Sequence, residues 1–323
     1  MWADTRANST KYTKYEVYFV NLPEWRNGRR ARLKIESRKG WEFKSPLGHH
    51  MQKIIVVCGP TATGKSDYAV ELAKKNNGEI ISADSRQVYL GMDIGSGKIT
   101  KKEMRGVKHY LLDVANPKRV FSVSSYKKLA NKAIEDIVRK GKTPIICGGT
   151  GLYIDAVICD TVFPSVPPNK SLRKTLEKLT LEDLQNKLKN LDPKRFDLID
   201  KQNKVRLIRA IEIATALGFV PELKKTKAYE VEWHYLDFPD EILKERIHKR
   251  LIKRMKTGMV KEVENLRKQG LSWKRLESFG LEYRYLALFL QGKLSKEEML
   301  KELEMAIWHY AKRQRTWFKK YAK

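Results

Sequence analysis

Lys53-Ile-Ile-Val-Val-Cys-Gly-Pro-Thr-Ala-Thr-Gly-Lys-Ser66 decides the fold. The apolar run from Ile54 to Cys58 reads as a buried strand. It leads into Gly59-x4-Gly64-Lys65-Ser66, and a helical pattern starts directly after it. That is the strand–loop–helix context of a P-loop. Gly59, Pro60, Thr61, Ala62, Thr63 and Gly64 would wrap an anion with backbone N–H groups and a helix N-terminus. Lys65 would hold an outer phosphate, and the Ser66 hydroxyl would ligate Mg²⁺. A chance glycine-rich turn is the competing reading, and the flanking strand and helix weigh against it. The motif promises a bound di- or triphosphate, without saying which one or what is done with it.

Working outward, the helix continues to Lys75, and Glu79-Ile-Ile-Ser82 reads as a second strand. It delivers Ala83-Asp-Ser-Arg-Gln-Val-Tyr89 at its C-terminal end, where ligand sites of open α/β sheets gather. Gly91 to Lys98 is a glycine-punctuated loop, and Tyr110 to Val114 reads as a third strand. Ser122 or Ser124 can cap a helix running to about Arg139. Ile145-Ile-Cys147 is a short buried strand that opens into Gly148-Gly-Thr-Gly-Leu-Tyr153. Strands alternating with helices predict a P-loop NTPase-like α/β fold, a parallel sheet with helices on both faces. Prolines 164, 167 and 168 interrupt the pattern, and helical leucine spacing follows from Leu172 to Leu191. Residues 166–200 are therefore expected to be a small all-helical insertion. The α/β body would comprise 51–165 and 201–323, with a helix over 203–217, a late strand over 230–238 and a helical C-terminal region.

The chain carries 66 basic and 38 acidic residues among 323, a net charge of +28. Such a field concentrates polyanions, which makes nucleic acid the leading partner and anionic membrane the weaker one. A solvated basic surface with no partner is the bland alternative. Cys58, Cys147 and Cys159 lack any metal-ligand spacing, and the first two end apolar runs, as buried thiols in a reducing cytosol do. No stretch approaches the roughly 18 apolar residues of a membrane span. A cytoplasmic monomer is expected.

Several residues are suited to chemistry. Asp84 reads as a metal-side carboxylate, as a general base at the phosphate site, or as a turn-forming Asp before Ser85. Thr150, between glycines, is suited to a phosphate bridging oxygen or to a plain helix N-cap. Arg206 with Arg209, and Arg246 with Lys249, lie three apart on helical faces and could clamp phosphates or face solvent. The run Ala311 to Lys320 interleaves cations with Trp317 and Phe318. It suits RNA backbone and base stacking, or an amphipathic terminal helix that docks its aromatics.

Five motifs, in order, carry a resemblance: Gly59–Ser66, Ser82–Tyr89 continuing through Gly91–Lys98, Gly148–Tyr153, Arg206-Leu-Ile-Arg-Ala-Ile-Glu212 and Lys312-Arg-Gln-Arg-Thr-Trp317. Together they resemble the tRNA dimethylallyltransferases, and the similarity runs from about Lys53 to Phe318. The resemblance implies that the P-loop holds dimethylallyl diphosphate rather than a nucleotide to be hydrolysed. It implies Asp84 as the base toward adenine N6 of adenosine 37 and Thr150 as the donor to the oxygen bridging C1 and the diphosphate. Lys65, the loop amides, Mg²⁺ on Ser66 and Arg246 would receive the leaving charge. The tRNA anticodon stem-loop would be the macromolecular partner, with Ser85, Gln87, Lys98, Arg206, Arg209 and Arg313 as its contacts. Three departures stand out. Ile99 follows Lys98 where the family often has proline. The Gly-Tyr-Arg pattern is spread over Gly280-Leu-Glu-Tyr-Arg284, and the helical insertion is short.

Residues 1–50 do not share the patterning of the rest and carry 11 basic and 5 acidic residues, leaving +22 for 51–323. A basic RNA-binding arm is one reading. The other comes from reverse translation: Glu24-Trp-Arg-Asn27, Arg32-Leu-Lys-Ile35 and Glu42-Phe-Lys-Ser45 can be coded by parts of a leucine tRNA gene. The hypothesis is that an upstream tRNA gene is translated from a misplaced start and that Met51 begins the natural protein. N-terminal sequencing of the chain from its own cell tests it, and a mature chain retaining Trp25 overturns it.

Two rival functions share the P-loop. A small-molecule P-loop kinase predicts ATP turnover and has no need of the basic surface. An adenylate isopentenyltransferase acting on free nucleotide would not need this much basic area either.

Overall fold

The computed structural model describes the backbone of residues 17–19 and the chain from 51 to 321. By contact density it forms two compact units, one ending at Cys159 and resuming at Lys227, the other Asp160–Thr226. The hypothesis for residues 1–50 falls outside the described residues, apart from one short strand.

The first unit begins with that strand, β1 (Val17–Phe19), then β2 (Lys53–Cys58), α1 (Lys65–Lys75) and β3 (Gly78–Ser82). Next come α2 (Lys101–Met104), β4 (His109–Tyr110), α3 (Val123–Arg139), β5 (Thr143–Gly148) and α4 (Gly151–Ile158). The sheet order is β1-β6-β2-β5-β3-β4, with β6 at Glu230–Leu236. Every pairing is parallel except β1 with β6. Ile54, Val56 and Cys58 enter one core cluster, and Ile55 and Val57 enter another, as the two-residue period of a strand covered on both faces requires.

Register places the site. Cys58 pairs with Gly148, and Ser82 pairs with Cys147, so β2, β5 and β3 end side by side. The loops after them, Gly59–Gly64, Gly149–Thr150 and Ala83–Gln87, therefore leave the same edge together. At Gly59 φ is +140°, and a Cβ there would lie 2.0 Å from the Leu236 carbonyl oxygen, so only glycine fits where the loop leaves the sheet.

Two boundaries depart from expectation. The strand expected over 110–114 is only His109–Tyr110, because Leu111 and Asp113 take positive φ of 63° and 56° and turn the chain out of the sheet. The helical insertion is the whole of Asp160–Thr226 rather than 166–200. It contains α5 (Lys170–Leu176), α6 (Leu181–Leu191), α7 (Pro193–Leu198) and α8 (Lys204–Leu217). The reason is packing: Leu207, Ile208 and Ile211 of α8 share one core with Leu176, Leu184 and Leu188. Buried Glu212 of α8 also accepts hydrogen bonds from Arg173 Nη2 at 2.6 Å and the Asn169 amide at 2.8 Å. Burial alone would raise the Glu212 carboxyl, but Arg173 and Arg209 hold it below the usual range.

From β6 the first unit finishes as helices: α9 (Asp240–Lys256), α10 (Met259–Lys268), α11 (Trp273–Ser278), α12 (Leu281–Leu290) and α13 (Lys296–Phe318). α13 opens with a Ser295/Glu298 capping box. It buries Met299, Leu303, Ile307, Ala311, Gln314 and Phe318 along one stripe. No helix among the described residues is long and apolar enough to cross a membrane.

Candidate active site

Two cavities of the first unit meet at the C-terminal edge of the sheet. One, of about 620 Å³, is lined by the P-loop residues Thr61, Ala62, Gly64, Lys65 and Ser66, and by Gln87, Gly149 and Arg246. The other, of about 800 Å³, is lined by Ser85, the segment Phe279–Tyr285, and Arg313 of α13. Thr61, Asp84, Arg250, Arg254 and Tyr310 line both, so they form a shared wall.

The P-loop is built as its motif demands. Gly64, at φ 84°, starts α1, and Lys65 and Ser66 open the helix facing the cavity. Thr63 turns inward, fully buried, its hydroxyl donating to Pro60 O at 2.9 Å. Gly59, Pro60 and Thr63 therefore shape the loop, while Thr61, Ala62, Gly64, Lys65 and Ser66 line the cavity. Lys65 Nζ donates to Pro60 O. Burial, with Arg250 beside it, pushes the Lys65 amine down to about 8.

α9 supplies guanidinium groups at four-residue spacing. Arg246 Nε donates to Ala62 O at 2.7 Å, its guanidinium 4.6 Å from the Phe238 ring centroid. Arg250 Nη1 donates to Thr61 Oγ1 at 2.9 Å, and Arg254 Nη1 pairs with Glu282 at 3.1 Å. Burial and the neighbouring Arg254 push the Arg250 pKa down, yet guanidinium stays cationic at neutral pH. Of the Arg246 and Lys249 pair, Lys249 takes the solvent-facing alternative and pairs with Glu245 on the exposed side of the helix.

Asp84 and Thr150 meet across the β3 and β5 loops. Asp84 Oδ1 accepts from the amides of Arg86 at 2.8 Å and Gln87 at 3.3 Å, so the carboxylate does form the turn. It also stands in the wall shared by both cavities, which a turn alone does not require. Thr150 precedes α4 but makes no capping bond with its side chain. Its Oγ1 accepts the Ser85 amide at 3.1 Å, and Tyr310 of α13 stands in the wall shared by both cavities. Burial holds the Tyr310 phenol above its ordinary pKa.

A family profile described as IPP transferase matches residues 87–321. The chain belongs to the IPP transferase family. A tRNA dimethylallyltransferase 2 of Treponema denticola is 46% identical over 282 residues, spanning 83% of this chain and 92% of the relative. A tRNA dimethylallyltransferase of Anoxybacillus flavithermus is 40% identical, with coverage of 83% and 88%. The crystal structure of a tRNA isopentenylpyrophosphate transferase from Staphylococcus epidermidis superposes with a TM-score of 0.61 at 36% identity, covering 83% of this chain and 90% of that one. A eukaryotic dimethylallyltransferase acting on tRNA superposes at 0.72 with 26% identity, covering 83% and 70%.

The expected RNA contacts fall into distinct groups in this IPP transferase. Ser85 and Arg313 line the larger cavity. Gln87 lies on the P-loop side, its amide between Ser82 Oγ and Gly97 O, both at 3.2 Å. Lys98 is held by its own loop. Its ammonium bonds Tyr89 O at 2.9 Å and the carboxylates of Asp93 and Asp113 at 2.5 Å, with the side chain 6% exposed. All three of its donors are spent on internal acceptors, so Lys98 locks the Gly91–Lys98 loop where it lines the P-loop cavity. On α8 of the second unit, Arg209 bonds Glu212 at 3.0 Å and Val166 O at 2.7 Å, while Arg206 stays largely exposed. Of the C-terminal aromatics, Phe318 is fully buried and Trp317 packs against Gly151, which favours the docked-helix reading.

Arg250, Tyr310 and Gln314 escaped the sequence reading. Arg250 carried a signal, one helical turn after Arg246. Gln314 stands inside the Lys312–Trp317 motif with no role assigned to it, and Tyr310 carried no signal, because the groups they meet are remote in the chain. Ile99, where proline was expected, is buried in the second core.

Proposed function

We propose that the chain transfers the dimethylallyl group from dimethylallyl diphosphate to N6 of adenosine 37 in tRNA, releasing diphosphate. The observation that carries this reading is the shared wall. A P-loop cavity suited to a diphosphate and a second cavity lined by Arg313 and aromatic residues both reach Asp84. A kinase cradle alone would leave the second cavity unexplained, and family membership supports the prenyl reading over the kinase.

The mechanism follows from the residues. The diphosphate lies against the loop amides and Lys65, with Arg246 and Arg250 on the cavity wall beside the loop. The adenine, too deeply stacked to react in place, is flipped into the larger cavity. N6 attacks C1 of the prenyl group, the C1–O bond breaks, and the N6 proton passes to Asp84. Thr150 donates its hydroxyl hydrogen to the oxygen leaving C1. The cations take up the charge developing on the diphosphate.

The donor set fits Mg²⁺. Among the described residues no three His, Cys, Asp or Glu side chains group as a protein-only metal site. Ser66 and the nearby carboxylates Asp67 and Asp84 offer hard oxygen ligands, suited to an ion held mostly by phosphate and water. Ser66 would hold the ion, which when bound neutralises diphosphate charge.

The remaining tRNA contacts would be Ser85, Arg313 and Arg206, with Gln87 closer to the diphosphate. The basic surface steers tRNA in, and affinity should fall steeply with salt. The test is incubation with labelled dimethylallyl diphosphate or labelled ATP, each with tRNA or AMP. Label in tRNA is expected. Label in AMP but not tRNA, or ATP hydrolysis without prenyl transfer, overturns the reading.

A further inference from the structure

Gln314 lies on α13, 253 residues along the chain from Thr61, whose backbone it touches. Its side chain is almost fully buried and bridges two loops. Oε1 accepts the Thr61 amide hydrogen at 2.8 Å, and Nε2 donates to Gly149 O at 2.9 Å. Thr61 belongs to the loop after β2, and Gly149 stands directly before Thr150 in the loop after β5. The ladder between those strands reaches only to Cys58 and Gly148. Past that pair, the Gln314 amide links the two loops.

The fit is close and specific. A carboxamide carries a donor and an acceptor on one rigid plane, which neither a carboxylate nor an alkyl chain can reproduce. A Cβ at residue 149 would lie 2.1 Å from Gln314 Nε2, so glycine there lets the amide reach the carbonyl. One turn earlier on α13, Tyr310 lines the wall shared by both cavities. Three residues later, Trp317 closes on Gly151, where a Cβ would meet its indole at 2.1 Å.

We propose that Gln314 is a positioning residue, setting the distance between the diphosphate loop and the Thr150 hydroxyl. The inference rests on the prenyl-transfer reading above. One ligand is then held at two points: its phosphates by the β2 loop, and its bridging oxygen by Thr150. The β2 loop carries the ground-state affinity. The Thr150 contact matters as the C1–O bond lengthens and charge builds on that oxygen. A misplacement of about 1 Å between the loops costs on the order of 10²-fold in rate. The loss belongs in kcat and not in binding.

The experiment compares wild type, Gln314→Glu and the uncharged Gln314→Met, each alone and combined with Thr150→Val. The readouts are kcat for tRNA prenylation, affinity for inorganic diphosphate, and Tm. Both Gln314 variants should bind diphosphate within about threefold of wild type and lose about 10²-fold in kcat. Thr150→Val should cost at least about tenfold in the wild-type background and under about threefold in either variant background. Full kcat, an equal Thr150→Val penalty in both backgrounds, or parallel losses of kcat and diphosphate affinity would overturn the proposal. So would variants unfolded at the assay temperature, since Gln314 would then serve stability. A wild-type chain that transfers no prenyl group to tRNA overturns the reaction itself. Normal transfer by wild type and by both variants overturns this inference alone.

Discussion

Thr150 Oγ1 accepts the backbone hydrogen of Ser85 at 3.1 Å, which ties the β5 loop to the turn that presents Asp84. The candidate base and the candidate donor to the leaving oxygen are therefore set by one hydrogen bond between loops. Neither can move without disturbing the other.

Asp84→Asn separates the two duties of this carboxylate. Asparagine can still accept the Arg86 and Gln87 amides and keep the turn, but it cannot take a proton. Turnover should fall about 10²-fold or more with diphosphate affinity within about threefold. Isothermal titration with diphosphate beside steady-state kinetics checks this. Equal losses in both would assign Asp84 to the metal or the diphosphate.

Lys65 predicts a pH dependence. Its amine titrates near 8 rather than 10.5 in the folded chain, so diphosphate affinity should weaken as pH rises through about 8. The sign for stability is opposite. Between about 8 and 10.5 the unfolded chain binds more protons, so stability rises with pH there, and below 8 the charged amine is a burden. Lys65→Met should therefore raise Tm at pH 7 while diphosphate affinity drops more than about tenfold. Calorimetry and titration on the same variant check both, and a lowered Tm would contradict the buried-charge account.

Lys98→Met separates a loop-locking role from an RNA contact. The substitution frees Asp93 and Asp113 and unlocks the Gly91–Lys98 loop, so Tm should fall by several degrees, corresponding to about 2 kcal/mol. The slope of tRNA affinity against salt should not change, because no phosphate contact is removed. A slope reduced by about one would identify Lys98 as an RNA contact.

Glu79 should govern part of the acid stability. Its side chain, 4% exposed, accepts from Lys142 at 2.8 Å, Lys140 at 2.9 Å and Tyr110 at 2.7 Å. Burial would raise its carboxyl, yet these bonds hold it down at about 2. Its stabilising contribution is full above the ordinary carboxyl value of 4.5 and is lost as pH falls from there toward 2. Glu79→Gln should lower Tm at pH 7 and flatten the decline of Tm across that acid window. An unchanged acid profile would count against it.

Much of this was legible in local sequence because its cause is local. Ile54–Cys58 is apolar and mostly β-branched, Ser122 carries a capping hydroxyl, and Gly59 and Gly64 stand where the backbone turns. The strand expected over 110–114 failed because its continuation depended on the backbone at Leu111 and Asp113, which apolar patterning does not report. The insertion was drawn too small because α8 has apolar residues on most of its surface, and its periodicity does not say which core it joins.

The P-loop, the α/β alternation and the Asp84 and Thr150 motifs are properties of short windows, and the sequence alone determined them. Only the tertiary structure decided which cations serve the site. Lys98 and Arg209 are committed to internal carboxylates, while Arg250 lines both cavities and bonds Thr61. It also decided that Gln314, far along the chain, joins the loops carrying Thr61 and Thr150. The physical reason is that a hydrogen bond depends on distance in space. Parallel strand register and the burial of α13 bring those groups together, and no local pattern encodes that proximity.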